Sequence, residues 1–345
     1  MASIKRTMPY VRLGNSGLKV SKIILGCMSF GTPEWQKWVL PEEESIELIK
    51  FAYDVGINTF DTANMYSNGR SEMILGKAIK ELNIPRDEIV VMTKVFYAVG
   101  KAAESVLGVS DLDAIGYVNQ RGLSRKHIFD SVKHSLQRLG LDYIDVLQCH
   151  RFDPETPIAE TMQALHDVVK AGYVRYIGMS SCWAYQFHAM QNYAIANGLT
   201  PFISMQNNYS LLYREEEREM LPTLKLFGVG SIPWSPLARG LLTRPFGEET
   251  QRSQIDRMIK KYTQFDSDQL IISRVEELSK KKGVSMAQIA LAWTLSRDAV
   301  SAPVIGTTSL DNLKDLLSAV NVTLTKEEAT YLEEPYQPRA VIGHA

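Results

Sequence analysis

Apolar and polar positions along this chain fall into blocks of two kinds. Short runs such as Ile89-Val90-Val91-Met92-Thr93 are almost continuously apolar, the pattern of a strand buried on both faces. Between them lie longer stretches in which apolar residues return every three or four positions, the helical period. Residues 10–13 and 18–21 flank Gly14-Asn15-Ser16-Gly17 and predict a β-hairpin, placed to plug or cover one end of the fold. Strands are then predicted at residues 22–27, 58–60, 89–93, 143–149, 174–179, 202–205, 229–233 and 302–305.

Helices fill the gaps. Pro41 opens one with an acidic first turn, Glu42-Glu43-Glu44, and an apolar face of Ile46, Ile49, Phe51 and Tyr53. Ser71, Ser124 and Ser309 read as caps of three more. Others are expected at 158–171, 185–197, starting with the charged stretch 214–219, at 268–281, 285–295 and 326–332, with an irregular tail from Pro335. Two long segments, 96–122 and 236–265, lack periodicity, and loops of that length in a compact domain usually carry function. Strict strand–helix alternation, eight times over, argues for an α/β (β/α)8 TIM barrel, read as one domain over 1–345. A doubly wound open sheet would need G-x-G-x-x-G after its first strand, and that fingerprint is absent.

Composition narrows the function class. The chain has 345 residues, 45% hydrophobic and 22% charged, as expected of a globular enzyme. A net charge of −1 gives no general pull toward nucleic acid or an anionic membrane, so neither is expected as a partner. No apolar stretch is long enough for a span, and residues 1–8 lack the apolar core of a secretory signal. Cys27, Cys149 and Cys182 form neither a zinc pattern nor a disulfide framework, which suits a reducing, cytoplasmic compartment.

The chemistry collects at strand ends. Asp61, Lys94, His150, Ser180-Ser181, Gln206, Trp234 and Gly306 each fall at the carboxyl end of a predicted strand, and in a barrel those ends share one mouth. Singly, each has an ordinary reading as a cap, a solvated terminus or a packed core residue. Together with Tyr66, Asp61, Lys94 and His150 make an acid–base set. A phenol is a poor proton donor near neutral pH, and a neighbouring ammonium lowers its pKa. Lys94 is placed to do this, held by Asp61. Tyr66 would protonate a carbonyl oxygen while hydride reaches the carbon, with His150 donating a second hydrogen bond to that oxygen.

At these residues the sequence resembles the aldo-keto reductase family. Leu13-Gly14-Asn15-Ser16-Gly17-Leu18-Lys19-Val20-Ser21 is similar to its amino-terminal hairpin, and Gly56-Ile57-Asn58-Thr59-Phe60-Asp61-Thr62-Ala63 with Tyr66, Gly69 and Glu72 to its signature. Val91-Met92-Thr93-Lys94, Leu147-Gln148-Cys149-His150 and Ser285-Met286-Ala287-Gln288-Ile289-Ala290-Leu291-Ala292-Trp293 resemble further segments. The resemblance runs from about residue 10 to residue 332 and is strongest to the branch of fungal aryl-alcohol dehydrogenases and versiconal hemiacetal acetate reductase. It implies the tetrad Asp61, Tyr66, Lys94 and His150, with Tyr66 as general acid.

It also implies NADP(H), bound across the barrel mouth. Ser180, Ser181 and Gln206 match the positions holding the nicotinamide carboxamide, although the family more often has Asn where Ser181 stands. Trp234 matches the aromatic that stacks on the nicotinamide ring. Ser235, Leu237, Arg239 and Gly240 match the pyrophosphate segment, and Gly306, Thr307, Thr308 and Asn312, with Asp315 nearby, the adenosine-phosphate segment. Many relatives carry Lys or Arg in that last segment for the 2′-phosphate; here Arg239 or Arg244 would have to supply the charge.

Met28, Trp35, Trp38, Phe96, Tyr97, Trp183 and Tyr209 follow strand ends and predict a pocket for flat, apolar aldehydes or ketones. Arg151 could meet an anionic or hydroxylated substrate, or could pair with Asp153 or Glu155. The expected activity is NADPH-dependent reduction of aldehydes or ketones, reversible toward alcohol oxidation, by a monomer or weak homo-oligomer. The alternative is a regulatory module resembling the β subunits of potassium channels. A metal-dependent hydrolase would need clustered ligands at strand ends, and only His150 occupies such a place, so no metal is expected.

Overall fold

A computed structural model describes residues 7–101, 106, 109–248, 250, 254–256 and 258–344. Most of the amino-terminal stretch read as lacking a signal, and parts of both long loops, lie outside the described residues.

The hairpin forms as expected. β1 (Tyr10–Arg12) pairs antiparallel with β2 (Lys19–Ser21), Val11 opposite Val20. Eight parallel strands follow: β3 (Ile24–Gly26), β4 (Thr59–Asp61), β5 (Val90–Val95), β6 (Ile144–Cys149), β7 (Val174–Ser180), β8 (Phe202–Gln206), β9 (Gly230–Ser231) and β10 (Val304–Ile305). β3 to β9 pair in sequence order, and β10 pairs with β3. Ser301 N–H donates to Ser231 O (2.8 Å) and Val304 N–H to Pro233 O (2.8 Å), which joins the last strand to β9 and closes the barrel.

The helices are α1 (Glu42–Asp54), α2 (Arg70–Glu81), α3 (Arg125–Leu139), α4 (Ile158–Lys170), α5 (Ala184–Ala196), α6 (Met220–Phe227), α7 (Asp266–Lys282), α8 (Met286–Leu295), α9 (Leu310–Leu317) and α10 (Lys326–Glu333). Among the described residues, none is long and apolar enough to cross a membrane. Ser124, Ser285 and Ser309 cap α3, α8 and α9, each accepting a backbone N–H with its hydroxyl.

Two local expectations fail. Ser71 does not cap α2: Gly69, at φ 87°, holds the cap, and Ser71 lies inside the helix. Its buried hydroxyl instead donates to Cys27 O (2.7 Å) and meets Thr62 Oγ1 (2.8 Å), tying α2 to β3 and β4. The buried face of α1 is Ser45, Leu48, Ile49 and Ala52; Ile46, Phe51 and Tyr53 pack only at its margins.

The interior has two layers because side chains of a strand alternate sides. At the amino end Ile24, Val90, Met92, Val146, Ile232 and Val304 form an apolar cluster, and Leu13 and Val20 of the hairpin seal it. One step up the same strands, Asp61, Lys94, Gln148, Ser180 and Gln206 face inward, all at most 2% exposed. The hairpin plugs the amino end, so the carboxyl-end mouth is the one left for a ligand.

Candidate active site

β4 ends on Asp61, and the chain then turns through 62–65 to bring Tyr66 back over the barrel. Tyr66 starts a tight turn in which Ser67, Asn68 and Gly69 all have positive φ (47°, 50° and 87°). Three left-handed residues in a row are uncommon, and such conformations persist only where contacts enforce them. Here the Asn68 side-chain Oδ1 accepts from Gly100 N–H (3.1 Å), and the Ser67 hydroxyl lies against Gly31 and Thr32. The turn is therefore held by the loops on both sides of it.

β5 delivers Lys94 beneath that turn. All three ammonium protons are used: Lys94 Nζ donates to Asp61 Oδ2 (2.5 Å), Thr62 O (2.9 Å) and Tyr66 Oη (3.2 Å). Asp61 is saturated as well, because its Oδ1 accepts from Gln148 Nε2 (2.8 Å) and Gln206 Nε2 (2.9 Å). Gln148 has this reach because the facing residue on β7 is glycine. A Cβ on Gly178 would stand 2.4 Å from Ser204 Oγ and 3.2 Å from Gln148 Cγ.

The charges settle accordingly. Burial works to lower the Lys94 pKa, but Asp61 and Tyr66 outweigh it and the net shift is upward, so Lys94 stays an ammonium. Tyr66 moves the other way from expectation. Burial raises its pKa, Lys94 opposes the rise, and burial prevails. His150, one residue past β6, has its pKa held well below the usual value by burial, with Arg151 and Lys94 adding to the effect. It is a neutral imidazole, and its Nδ1 has no partner among the described residues. Its ring stands edge-on to Tyr66 (5.8 Å between centroids) and to Tyr97 (5.1 Å).

The other half of the mouth is built from β7, β8 and the segment after β9. The Ser180 hydroxyl donates to Gln206 O (2.6 Å), and Trp234 Nε1 donates to Ser181 Oγ (3.0 Å). Gln206 belongs to both halves, since its amide also holds Asp61. Beyond Trp234, Ser235, Ala238, Arg239 and Gly240 all have positive φ (54°, 46°, 60° and 98°). Arg239 forms an ion pair with Asp256 (2.5 Å), whereas Arg244 donates to its neighbour Thr243 (3.1 Å). Thr307 Oγ1 accepts from Ser309 N–H (3.1 Å), Thr308 and Asn312 are exposed beside it, and Gly306 leads in from β10. Asp315 is occupied elsewhere: its two oxygens take Ser285 Oγ and Gln288 Nε2, both at 2.6 Å, which fastens α9 to α8.

Of the expected pocket residues, Met28, Trp35, Trp38 and Tyr97 join Tyr66 in one apolar cluster with Val39, Ala63 and Met65. Phe96 packs edge-on to Tyr97 (5.0 Å). Tyr209 does not reach the mouth. It is buried against Trp293 (5.3 Å) and donates to Glu217 (2.6 Å), because the chain after β8 turns it outward under α8. Trp183 is 41% exposed and meets the His344 ring (4.9 Å).

That last contact belongs to a feature sequence reasoning missed. The carboxyl-terminal tail is irregular, as expected, but it is docked. Ile342 N–H donates to Tyr213 Oη (3.0 Å), His344 Nε2 meets Glu216 Oε1 (3.1 Å), and Gly343 lies on the Trp234 ring, where a Cβ would stand 3.0 Å away. The signals in the sequence were slight, a lone Ile342 and the Gly343 beside it. Gln148 was also passed over, although its place two residues before His150 puts it on the same inward face.

The sequence of residues 22–337 matches the aldo/keto reductase family model. The chain is 52% identical over 340 residues to versiconal hemiacetal acetate reductase of Aspergillus parasiticus, covering 97% of this chain and 98% of that protein. It is 52% identical over 344 residues to a Schizosaccharomyces pombe protein provisionally named an aryl-alcohol dehydrogenase, covering 97% of each. It is 50% identical over 346 residues to the aldo-keto reductase AFTS1 of Alternaria alternata, covering 97% of this chain and 94% of that protein. With a closed eight-stranded barrel, a plugging hairpin and these matches along nearly its whole length, the chain belongs to the aldo/keto reductase family.

Proposed function

We propose that this protein reduces aldehydes or ketones with NADPH, and in reverse oxidises aryl or other alcohols, with Tyr66 as the proton donor. The observation that carries the reading is the direction of one hydrogen bond. Lys94 spends a proton on the Tyr66 oxygen, so the phenol's own proton is free to point at a substrate. Lys94 cannot take that proton, because it is already fully protonated and held by Asp61. Gln148 and Gln206 fix Asp61 in turn, so the donor is set by a chain of bonds that does not depend on the substrate.

In this mechanism a carbonyl oxygen sits between Tyr66 Oη and the His150 ring. Neutral His150 donates a hydrogen bond to it, and Tyr66 transfers a proton as negative charge develops. The Lys94 ammonium then stabilises the tyrosinate, and solvent restores its proton. Trp35, Trp38, Met28 and Tyr97 form the apolar wall for the rest of the substrate.

The second half of the mouth suits a nicotinamide dinucleotide phosphate. When bound, that cofactor supplies the hydride. Trp234 offers a half-buried ring fixed by Ser181, with Ser180 and Gln206 beside it for a carboxamide. Ala238, Arg239 and Gly240 are consecutive and left-handed, and this turn is the segment we assign to the pyrophosphate. With Arg239 committed to Asp256, Arg244 is the cation we assign to the 2′-phosphate. The family match and the names of the relatives support carbonyl chemistry of this class. The test is oxidation of NADPH, with NADH in parallel, over a panel of aromatic aldehydes. Turnover with NADPH preferred by about tenfold or more is expected, and cofactor binding with no turnover on any aldehyde would favour a regulatory role instead.

A further inference from the structure

Arg151 follows His150 at the end of β6, and its obvious partners are taken. Asp153 is buried, and its oxygens accept from Leu123 N–H (2.7 Å), Glu155 N–H (3.0 Å) and Thr156 Oγ1 (2.7 Å). It serves as the anchor between the end of the long 96–122 loop and the turn after β6. Glu155 makes no ion pair with Arg151, and no other carboxylate among the described residues does. What Arg151 has is one hydrogen bond to His150 O (2.5 Å) and a place 5.9 Å from the centre of the Tyr97 ring.

The consequence is a local charge imbalance. Lys94 and Asp61 cancel each other within a closed set of bonds. Arg151 is half-buried, and no carboxylate among the described residues pairs with it. Its charge is felt at the mouth, where it counts among the influences on both Tyr66 and His150. The guanidinium has five donors in a planar fork, and the structure uses one of them. A half-desolvated cation with free donors, beside aromatic walls, is a site for a planar oxyanion.

We propose that Arg151 selects carbonyl substrates that also carry a carboxylate. The apolar cluster of Trp35, Trp38, Met28 and Tyr97 holds the hydrocarbon frame, Tyr66 and His150 take the carbonyl oxygen, and Arg151 takes the carboxylate through its fork. This rests on the carbonyl-reductase reading for the position of the reacting oxygen.

The test uses 2-, 3- and 4-carboxybenzaldehyde, each paired with its methyl ester, which keeps the shape and removes the charge. For at least one isomer the wild-type kcat/KM should favour the acid over the ester. In Arg151→Met that preference should fall about tenfold or more, and in Arg151→Lys it should return in part, since a point charge replaces the fork. A ratio of acid to ester that Arg151→Met leaves unchanged for every isomer overturns the proposal. A second arm needs no turnover. Terephthalate, a dicarboxylate without a carbonyl to reduce, should quench tryptophan fluorescence with at least tenfold weaker affinity in Arg151→Met. If no aldehyde is reduced but terephthalate binding depends on Arg151, the reductase reading fails and the anion site stands; if terephthalate binds equally to both proteins, the anion site fails.

Discussion

The two ends of the barrel interior are made by the same strands two residues apart, yet they are built for different ends. At the amino end the inward side chains are Ile24, Val90, Met92, Val146 and Ile232, closed off by Leu13 and Val20. At the carboxyl end they are Asp61, Lys94, Gln148 and Gln206, bonded to one another with no acceptor or donor wasted on Asp61 or Lys94. The lower layer gains stability from burial alone and tolerates changes of shape up to its volume. The upper layer buries a charge pair, which contributes little net stability and is costly to break. In the proposed mechanism, what it contributes is a fixed proton donor. Burial and the polar network are thereby separated by two residues along a strand, as from Met92 to Lys94 and from Val146 to Gln148, and mutations should separate them too.

The largest effect should come from breaking the upper layer. Lys94→Met leaves Asp61 buried without its counter-charge, so unfolding free energy should fall by about 3–5 kcal/mol. Turnover should fall by about 100-fold or more in the same protein. Denaturant titration and steady-state kinetics read the two losses. A Lys94→Met protein as active as wild type would remove the coupling between the ion pair and Tyr66.

The lower layer gives the opposite signature. Leu13→Ala deletes a fully buried side chain from the plug and should cost about 2–5 kcal/mol of stability. Its kcat should stay within about twofold, measured well below the melting transition. A large loss of kcat in this variant would show that the two layers are not independent.

The smallest effect sharpens the electrostatics. The proposed reduction requires Tyr66 protonated, and burial has raised its pKa above the ordinary phenol value, so its proton is retained through neutral and mildly alkaline pH. His150 has been moved in the opposite sense, so it stays neutral and does not charge as pH falls through its ordinary range. The pH profile of kcat/KM for reduction should therefore be flat from about pH 6 to 9, without an inflection near the ordinary histidine value of about 6.5. An inflection there would mean that His150 titrates during the reaction.

Much of this was legible in the sequence, for identifiable reasons. Ile89 to Met92 is a continuous apolar run and Ile144 to Leu147 is broken only by Asp145, the pattern of strands buried on both faces, and their regular alternation with helical segments pointed to the barrel. Asp61, Lys94 and His150 stood out because a charge or imidazole at the end of such a run has to be explained. Contacts between elements far apart in the chain left no such mark. The ion pair of Arg239 with Asp256, the use of Asp315 by Ser285 and Gln288, and the outward turn of Tyr209 depend on which helix lies beside which loop. The net rise in the Tyr66 pKa was hidden for a different reason. The sequence shows that Lys94 is near, but only the structure shows how completely the phenol is removed from water.

The central claim is that Tyr66 gives the proton, and Tyr66→Phe tests it most directly. The ring, its packing and the Lys94–Asp61 pair all remain, and only the hydroxyl is lost. The measurement is single-turnover reduction of an aromatic aldehyde by the NADPH-loaded enzyme, with NADPH affinity determined on the same sample. The account predicts a rate lower by about 100-fold or more with cofactor affinity within about threefold of wild type. A Tyr66→Phe enzyme that reduces aldehyde at the wild-type rate would contradict it.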